Sequence, residues 1–212
     1  TSNLQWIHTI SAGVEHVLFS DLVESEIVLT NASGVFDVPI AETVLGYMLA
    51  VAKRLPDFLA QQRDHRWEKQ RLEELRGQCV GVVGMGSIGT EVARLCQAFG
   101  MTVLGLQRHP EPSEHADEVL PTERLPDLLA RSDFVVIATP LTDETRGMIG
   151  TPELAAMKPD GWLINIARGA IVDQPALIEA LEAEEIGGAC LDVFAEEPLP
   201  EESPLWDLPN VI

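Results

Sequence analysis

The residues best suited to chemistry are six consecutive ones, Gly84-Met85-Gly86-Ser87-Ile88-Gly89, and a distant guanidinium, Arg168, flanked by Ala167 and Gly169. A G-x-G-x-x-G run reads as a dinucleotide site when a strand precedes it and a helix follows. Here the apolar run Cys79-Val80-Gly81-Val82-Val83 leads in, and a helical stretch from Thr90 to Phe99 leads out and stops at Gly100. Gly84 would permit the tight turn, Gly86 the approach of a pyrophosphate to the backbone, and Gly89 close packing of helix on strand. The helix N-terminus adds free N–H groups and the positive end of a dipole. Arg168 presents a planar fork suited to a carboxylate; a structural salt bridge is the plainer fate for it.

The next apolar run, Met101 to Leu106, ends in Gln107-Arg108-His109. A site for NAD usually has Asp or Glu about 20 residues beyond the glycine turn, on the ribose 2′-hydroxyl. A carboxylate would repel a 2′-phosphate, whereas Arg108 can bind one. NADP(H) is therefore expected to be preferred, with NAD(H) also accepted. The alternative left open is a solvated Arg108 with Gln107 bonded to a 2′-hydroxyl.

These residues need elements to position them. Strands are expected at 79–83, 101–106, 118–120, 134–138, 162–166 and 189–193, and helices near 88–99, 124–130, 152–157 and 174–184. Such alternation predicts an α/β fold with a doubly wound parallel sheet, Rossmann-like over residues 77–212. Ligands bind beyond the carboxyl ends of strands in such sheets. Those ends are Gly84 to Gly89, Gln107-Arg108, Thr139-Pro140, Ala167-Arg168-Gly169 and Asp192, which should converge on one crevice. Upstream, residues 1–38 hold two short apolar runs, Leu4 to Ile10 and Ile27 to Thr30. Pro39 suits the first turn of a helix. From Val44 to Ala52 that helix is apolar nearly all round, as expected of one buried inside a subunit or between two. Residues 39–76 are read as a helical connection and dimerisation arm, with Gln61 to Arg76 as solvated helix and linker.

Composition narrows the partners. The chain has 212 residues and is 46% hydrophobic, enough for a sizeable core. No apolar run approaches the roughly 20 residues of a membrane span. The net charge of −20, from 34 acids and 14 bases, argues against nucleic acid or an anionic membrane as partner. Lysine is scarce (Lys53, Lys69 and Lys158), and the acids are spread along the chain. Together these features point to adaptation to high salt, with an ordinary acidic protein as the alternative. Cys79, Cys96 and Cys190 have no metal-like spacing, so no metal is expected, and the odd count of thiols in predicted elements suggests the cytoplasm.

Four segments carry a resemblance that covers almost the whole chain. Asn165-Ile166-Ala167-Arg168-Gly169-Ala170-Ile171-Val172-Asp173 and Leu191-Asp192-Val193-Phe194-Ala195-Glu196-Glu197-Pro198 resemble the two signatures of the D-isomer-specific 2-hydroxyacid dehydrogenases. Thr139-Pro140-Leu141-Thr142-Asp143-Glu144-Thr145 resembles that family's loop after the fourth strand, and Ser11-Ala12-Gly13-Val14-Glu15 its substrate-carboxylate loop. The resemblance implies that residues 1–38 are the end of a flavodoxin-like substrate domain. It also implies a small 2-keto or 2-hydroxy acid as substrate. The apolar helix beginning near Pro39 is read, from its own pattern, as the interface of a homodimer.

Roles follow for the matching positions. Arg168 would bind the substrate carboxylate and polarise the keto group, with backbone N–H groups near Ala12 and Gly13 on the other carboxylate oxygen. Glu197 would pair with a catalytic histidine, and Asp192 would hold the nicotinamide amide. Ser87, Ile88, Gln107, Thr139, Pro140, Thr145, Ile166 and Ala167 match cofactor-contacting positions. Two departures stand out. The family histidine lies a few residues after a motif matched here by Asn210-Val211-Ile212, and none of His8, His16, His65, His109 and His115 occupies that place. The family also has a region before the point where Thr1 aligns. The chain is thus expected to be an internal fragment that binds cofactor without turnover. A dinucleotide-gated interaction protein, like the corepressors of the same family, is the alternative function. Formate dehydrogenases are disfavoured, because they carry glutamine where this chain has Glu197.

Overall fold

The computed structural model describes residues 3–14 and 17–212. Two parallel sheets form. The smaller pairs β1 (Trp6–His8) with β2 (Val28–Thr30), with α1 (Ser20–Val23) between them in sequence. Two helices follow, α2 (Asp37–Ala52) and α3 (Leu55–Arg63). The rest of the chain alternates: β3 (Cys79–Val83), α4 (Ser87–Ala98), β4 (Thr102–Leu106), β5 (Glu118–Leu120), α5 (Leu125–Arg131), β6 (Phe134–Ile137), α6 (Thr151–Ala156), β7 (Trp162–Asn165), α7 (Gln174–Glu182) and β8 (Gly188–Leu191).

The larger sheet has six strands in the order β5-β4-β3-β6-β7-β8, every pairing parallel. This is the doubly wound Rossmann arrangement, with its switch point between β3 and β6. A parallel sheet must be covered on both faces, and its strands alternate accordingly. Along β6, Phe134 and Val136 join one core with Ala41, Val44 and Met48 of α2 and Val92, Ala93 and Cys96 of α4. Val135 and Ile137 join the other with Leu128 and Leu129 of α5, Leu154 of α6 and Leu177 and Leu181 of α7.

The α2 helix therefore spends one apolar face on the Rossmann sheet of its own chain. Its other apolar residues, Leu45, Tyr47 and Leu49 among them, are partly buried against the same core.

Three strands end earlier than the apolar runs predict. The runs 134–138, 162–166 and 189–193 stop as strands at Ile137, Asn165 and Leu191. The next residue of each still makes one ladder bond: Ala138 N to Val83 O (2.8 Å), Ile166 N to Ile137 O (3.4 Å) and Asp192 N to Asn165 O (3.0 Å). Beyond β6 and β7 the backbone leaves the sheet and lines the clefts described below.

Candidate active site

The glycine turn divides its work among its members. Gly84 has φ +103°, and a Cβ there would lie 2.8 Å from the backbone of Ala138 and Thr139, so the turn is held tight against the end of β6. A Cβ on Gly89 would sit 1.9 Å from the Gly84 carbonyl oxygen, which fixes α4 hard against the turn. A Cβ on Gly86 would meet nothing within 4 Å. Only at Gly86 is the missing side chain replaced by open space, and it faces the start of α4, where no side chain caps the helix. Uncapped N–H groups before an open space fit a pyrophosphate.

Two clefts meet at this turn, sharing Gly86, Ala138, Thr139 and Pro140. The outer cleft, of about 570 Å³, runs between the ends of β4 and β6 and is lined by Gly84, Met85, Gln107, Arg108, Glu144 and Thr145 among others. The inner cleft, of about 530 Å³, lies between Ser87, Ile88, Ile166, Ala167 and Arg168 on one side and Ser11, Ala12, Gly13, Ser33 and Phe36 on the other. Among the described residues, Arg168 is the one charged side chain on the inner lining.

Arg168 is aimed by its neighbours. Asn165, 1% exposed at the end of β7, donates from Nδ2 to the Arg168 carbonyl (3.0 Å) and accepts the Ala167 N–H (3.1 Å). The Arg168 guanidinium donates back to the Ala167 carbonyl (2.6 Å). Opposite, the loop 11–13 is tied down through its carbonyls: Asn31 Nδ2 donates to Ala12 O (2.6 Å), Ser11 Oγ to Gly13 O (2.7 Å), and Ala32 N to Ser11 O (3.2 Å). Glu15, at the end of this motif, lies outside the described residues, as does His16.

The remaining expected residues are more scattered. Met85 turns its side chain onto β4, so that a Cβ on Gly105 would lie 2.7 Å from it. Thr145 lines the outer cleft, but its hydroxyl accepts from Thr142 N (2.8 Å) and donates to Pro140 O (2.7 Å) within its own loop. His109 is exposed, and it does not line either cleft. The expected single crevice is two adjoining clefts: Gln107-Arg108 line the outer one, Ala167-Arg168 the inner one, the glycine turn and Thr139-Pro140 line both, and Asp192 and Glu197, after β8 at the same end of the sheet, line neither. Asp192 instead bears on Tyr47 of α2, whose phenol is pushed up first by burial and then by the Asp192 charge. Glu197 accepts the Phe194 N–H (2.9 Å). The single histidine ion pair among the described residues is His115 with Glu114, on the exposed loop after β4.

The model of the D-isomer specific 2-hydroxyacid dehydrogenase NAD binding domain matches residues 45–212. The chain belongs to this family. A glyoxylate/hydroxypyruvate reductase B from Pectobacterium carotovorum is 41% identical over 96% of this chain, which spans 66% of that relative. A D-3-phosphoglycerate dehydrogenase from Methanocaldococcus jannaschii is 36% identical over 99% of this chain, which spans 40% of that relative. Among solved structures, a D-isomer specific 2-hydroxyacid dehydrogenase from Xanthobacter autotrophicus Py2, in complex with NADPH and MES, superposes with a TM-score of 0.92. It is 37% identical, and 99% of this chain covers 67% of it. An NADPH-dependent glyoxylate/hydroxypyruvate reductase from Sinorhizobium meliloti, in complex with NADP and sulfate, gives a TM-score of 0.90 at 31% identity, with 98% of this chain covering 67% of it. Residues 45–212 thus carry this family's NAD-binding domain.

Asn165 and Glu144 belong to motifs legible in the sequence, but the contacts they make do not follow from those motifs. The partners of Asn31 and Glu144, Ala12 and Arg108, are 19 and 36 residues away, beyond the reach of any local pattern.

Proposed function

We propose that this chain is the cofactor-binding part of an oxidoreductase that interconverts small 2-keto acids and D-2-hydroxy acids, preferring NADP(H) and accepting NAD(H). The observation that carries the reading is the lining of the inner cleft. In a chain of net charge −20, the one charged side chain on that lining among the described residues is the cation Arg168, facing the uncapped start of α4 and the loop 11–13. A cleft so lined favours a small anion beside a bound dinucleotide.

The bound cofactor supplies the hydride. Arg168 holds the substrate carboxylate and polarises the keto oxygen, while backbone N–H groups of Ala12 and Gly13 hold the second carboxylate oxygen. The N–H groups of Ser87 and Ile88 receive the pyrophosphate. Pro140, Ile166 and Ala167 keep water from the reacting face, and Asp192 orients the nicotinamide amide. Glu197 serves a histidine beyond the five present here, keeping its imidazolium charged so that it can donate the proton. The NADP(H) preference rests on Arg108 at the end of β4, with Gln107 in place of a carboxylate. The complexes of the two neighbours with NADPH and NADP support it.

Residues 1–38 are assigned to a substrate domain, 39–76 to a helical connection and dimerisation arm, and 77–212 to the dinucleotide-binding domain. The apolar groove of Leu55, Phe58, Leu59 and Trp67, with Trp67 95% exposed, supports a homodimer through the arm. The surplus of acids over lysines and the three free cysteines support a salt-adapted protein of the cytoplasm.

The test runs a panel of 2-keto acids with NADPH and NADH on this chain and on a form extended at both ends. Turnover by the longer form alone, with Arg168→Gln losing it, is the expected outcome; a general acid is typically worth about 10²–10⁴-fold. Equal turnover by both forms would remove Glu197 and its histidine from the mechanism. Cofactor binding by the longer form without turnover of any keto acid would favour the interaction-module alternative.

A further inference from the structure

Arg108 and Glu144 form an ion pair across the outer cleft. Arg108 follows β4 and Glu144 lies in the loop after β6. These strands flank β3, so the pair reaches over the end of the glycine turn. Glu144 is presented by a self-braced turn in which Thr145 N bonds Thr142 O (3.2 Å) and Arg146 N bonds Thr142 O (3.0 Å). Both side chains are more than half exposed, at 59% and 69%. Such a pair forms and opens readily.

We infer that Glu144 is a built-in competitor for the Arg108 guanidinium, and that it sets how far a ligand with a 2′-phosphate is preferred over one without. The inference rests on the NADP(H) reading above. A 2′-phosphate needs the Arg108 fork, so it binds only the fraction of molecules in which the fork is free. Once displaced, the Glu144 carboxylate remains in the same cleft as a like charge to the phosphate. A ligand with a bare 2′-hydroxyl makes no demand on Arg108 and meets neither obstacle. Glu144 thus narrows the discrimination that Arg108 creates. Glu123, also on the cleft lining, has the same charge but no hydrogen bond to Arg108, which makes it an internal control.

The test measures binding of the adenosine-half probes 2′,5′-ADP and 5′-AMP to this chain by calorimetry, at low and high salt. Glu144→Gln should tighten 2′,5′-ADP roughly two- to five-fold, the range of an exposed ion pair, and leave 5′-AMP unchanged. The gain should shrink with salt, vanish in an Arg108→Gln background, and exceed that from Glu123→Gln. Two failures are distinguishable. If Arg108→Gln selectively weakens 2′,5′-ADP while Glu144→Gln changes nothing, or no more than Glu123→Gln, the competition is refuted and the cofactor reading stands. If Arg108→Gln leaves the ratio of the two affinities unchanged, the cofactor reading falls and this inference with it.

Discussion

The α-carbon of Gly169 sits so close to Phe194 that a Cβ there would lie 1.9 Å from the Phe194 carbonyl carbon and 2.4 Å from the nitrogen of Ala195. The segment carrying Arg168 after β7 is therefore in backbone contact with the segment carrying Glu197 after β8. The second segment is also anchored to α7, where Gln174 Oε1 accepts the Ala195 N–H (3.0 Å). Neither backbone can give as a flexible side chain would. Gly169→Ala should force the two segments apart, costing about 1–3 kcal/mol as overpacking does. Urea denaturation reads that loss, and in a catalytically complete form kcat should fall more than KM changes, because Arg168 and Glu197 shift relative to each other. A variant with unchanged midpoint and kcat would show that the contact yields cheaply.

The second and third glycines of the turn should separate folding from binding. Gly89→Ala puts a methyl group into the Gly84 carbonyl and should destabilise the fold. Gly86→Ala puts it into open space and should leave the melting temperature close to that of the parent, while weakening dinucleotide binding at least about tenfold by blocking the pyrophosphate. Thermal melts and a cofactor titration on the same samples check both. Loss of stability by Gly86→Ala, or full binding by a stable Gly89→Ala, would contradict the division of labour.

Asn165→Ala should be costly for a polar residue outside any ion pair. It leaves the Ala167 N–H buried without a partner, a penalty of roughly 1–3 kcal/mol, and frees the Arg168 carbonyl. Asn165→Asp keeps the acceptor for Ala167 but buries a carboxylate and sets its second oxygen against the Arg168 carbonyl, so it should be no more stable than the alanine variant at neutral pH and recover as the pH falls. Denaturation midpoints of the three, read at two pH values, check this.

The thiols give a pH prediction. Burial pushes Cys96 and Cys190 up to about 12 from an ordinary value near 9, and raises Cys79 as well, with the Asp133 charge adding to burial there. A thiol whose folded value is raised contributes stability in full below its unfolded value and loses it as pH rises toward the folded one. Stability should therefore fall between about pH 9 and 12, less steeply in Cys96→Ala/Cys190→Ala. At pH 8 a thiol reagent should leave Cys96 and Cys190 unmodified in the folded chain and modify all three in urea.

The amino-acid sequence by itself determined the local elements and the chemistry each can do. Strand runs such as Cys79–Val83, helix stops such as Gly100, and the glycine turn are legible because periodicity, breakers and tight turns are properties of neighbours along the chain. For the same reason Arg168 could be found and matched to a motif. Only the tertiary structure decided which strand ends share a cleft. It joined Gln107-Arg108, the glycine turn, Thr139-Pro140 and Ala167-Arg168 into two adjoining spaces and left Asp192 and Glu197 off their walls. It also decided that the apolar face of α2 is spent on α4 and the sheet, and that Arg108 meets Glu144. Those outcomes depend on strand order and on where each strand leaves the sheet. They are set by long-range packing between residues tens of positions apart, which no local pattern encodes.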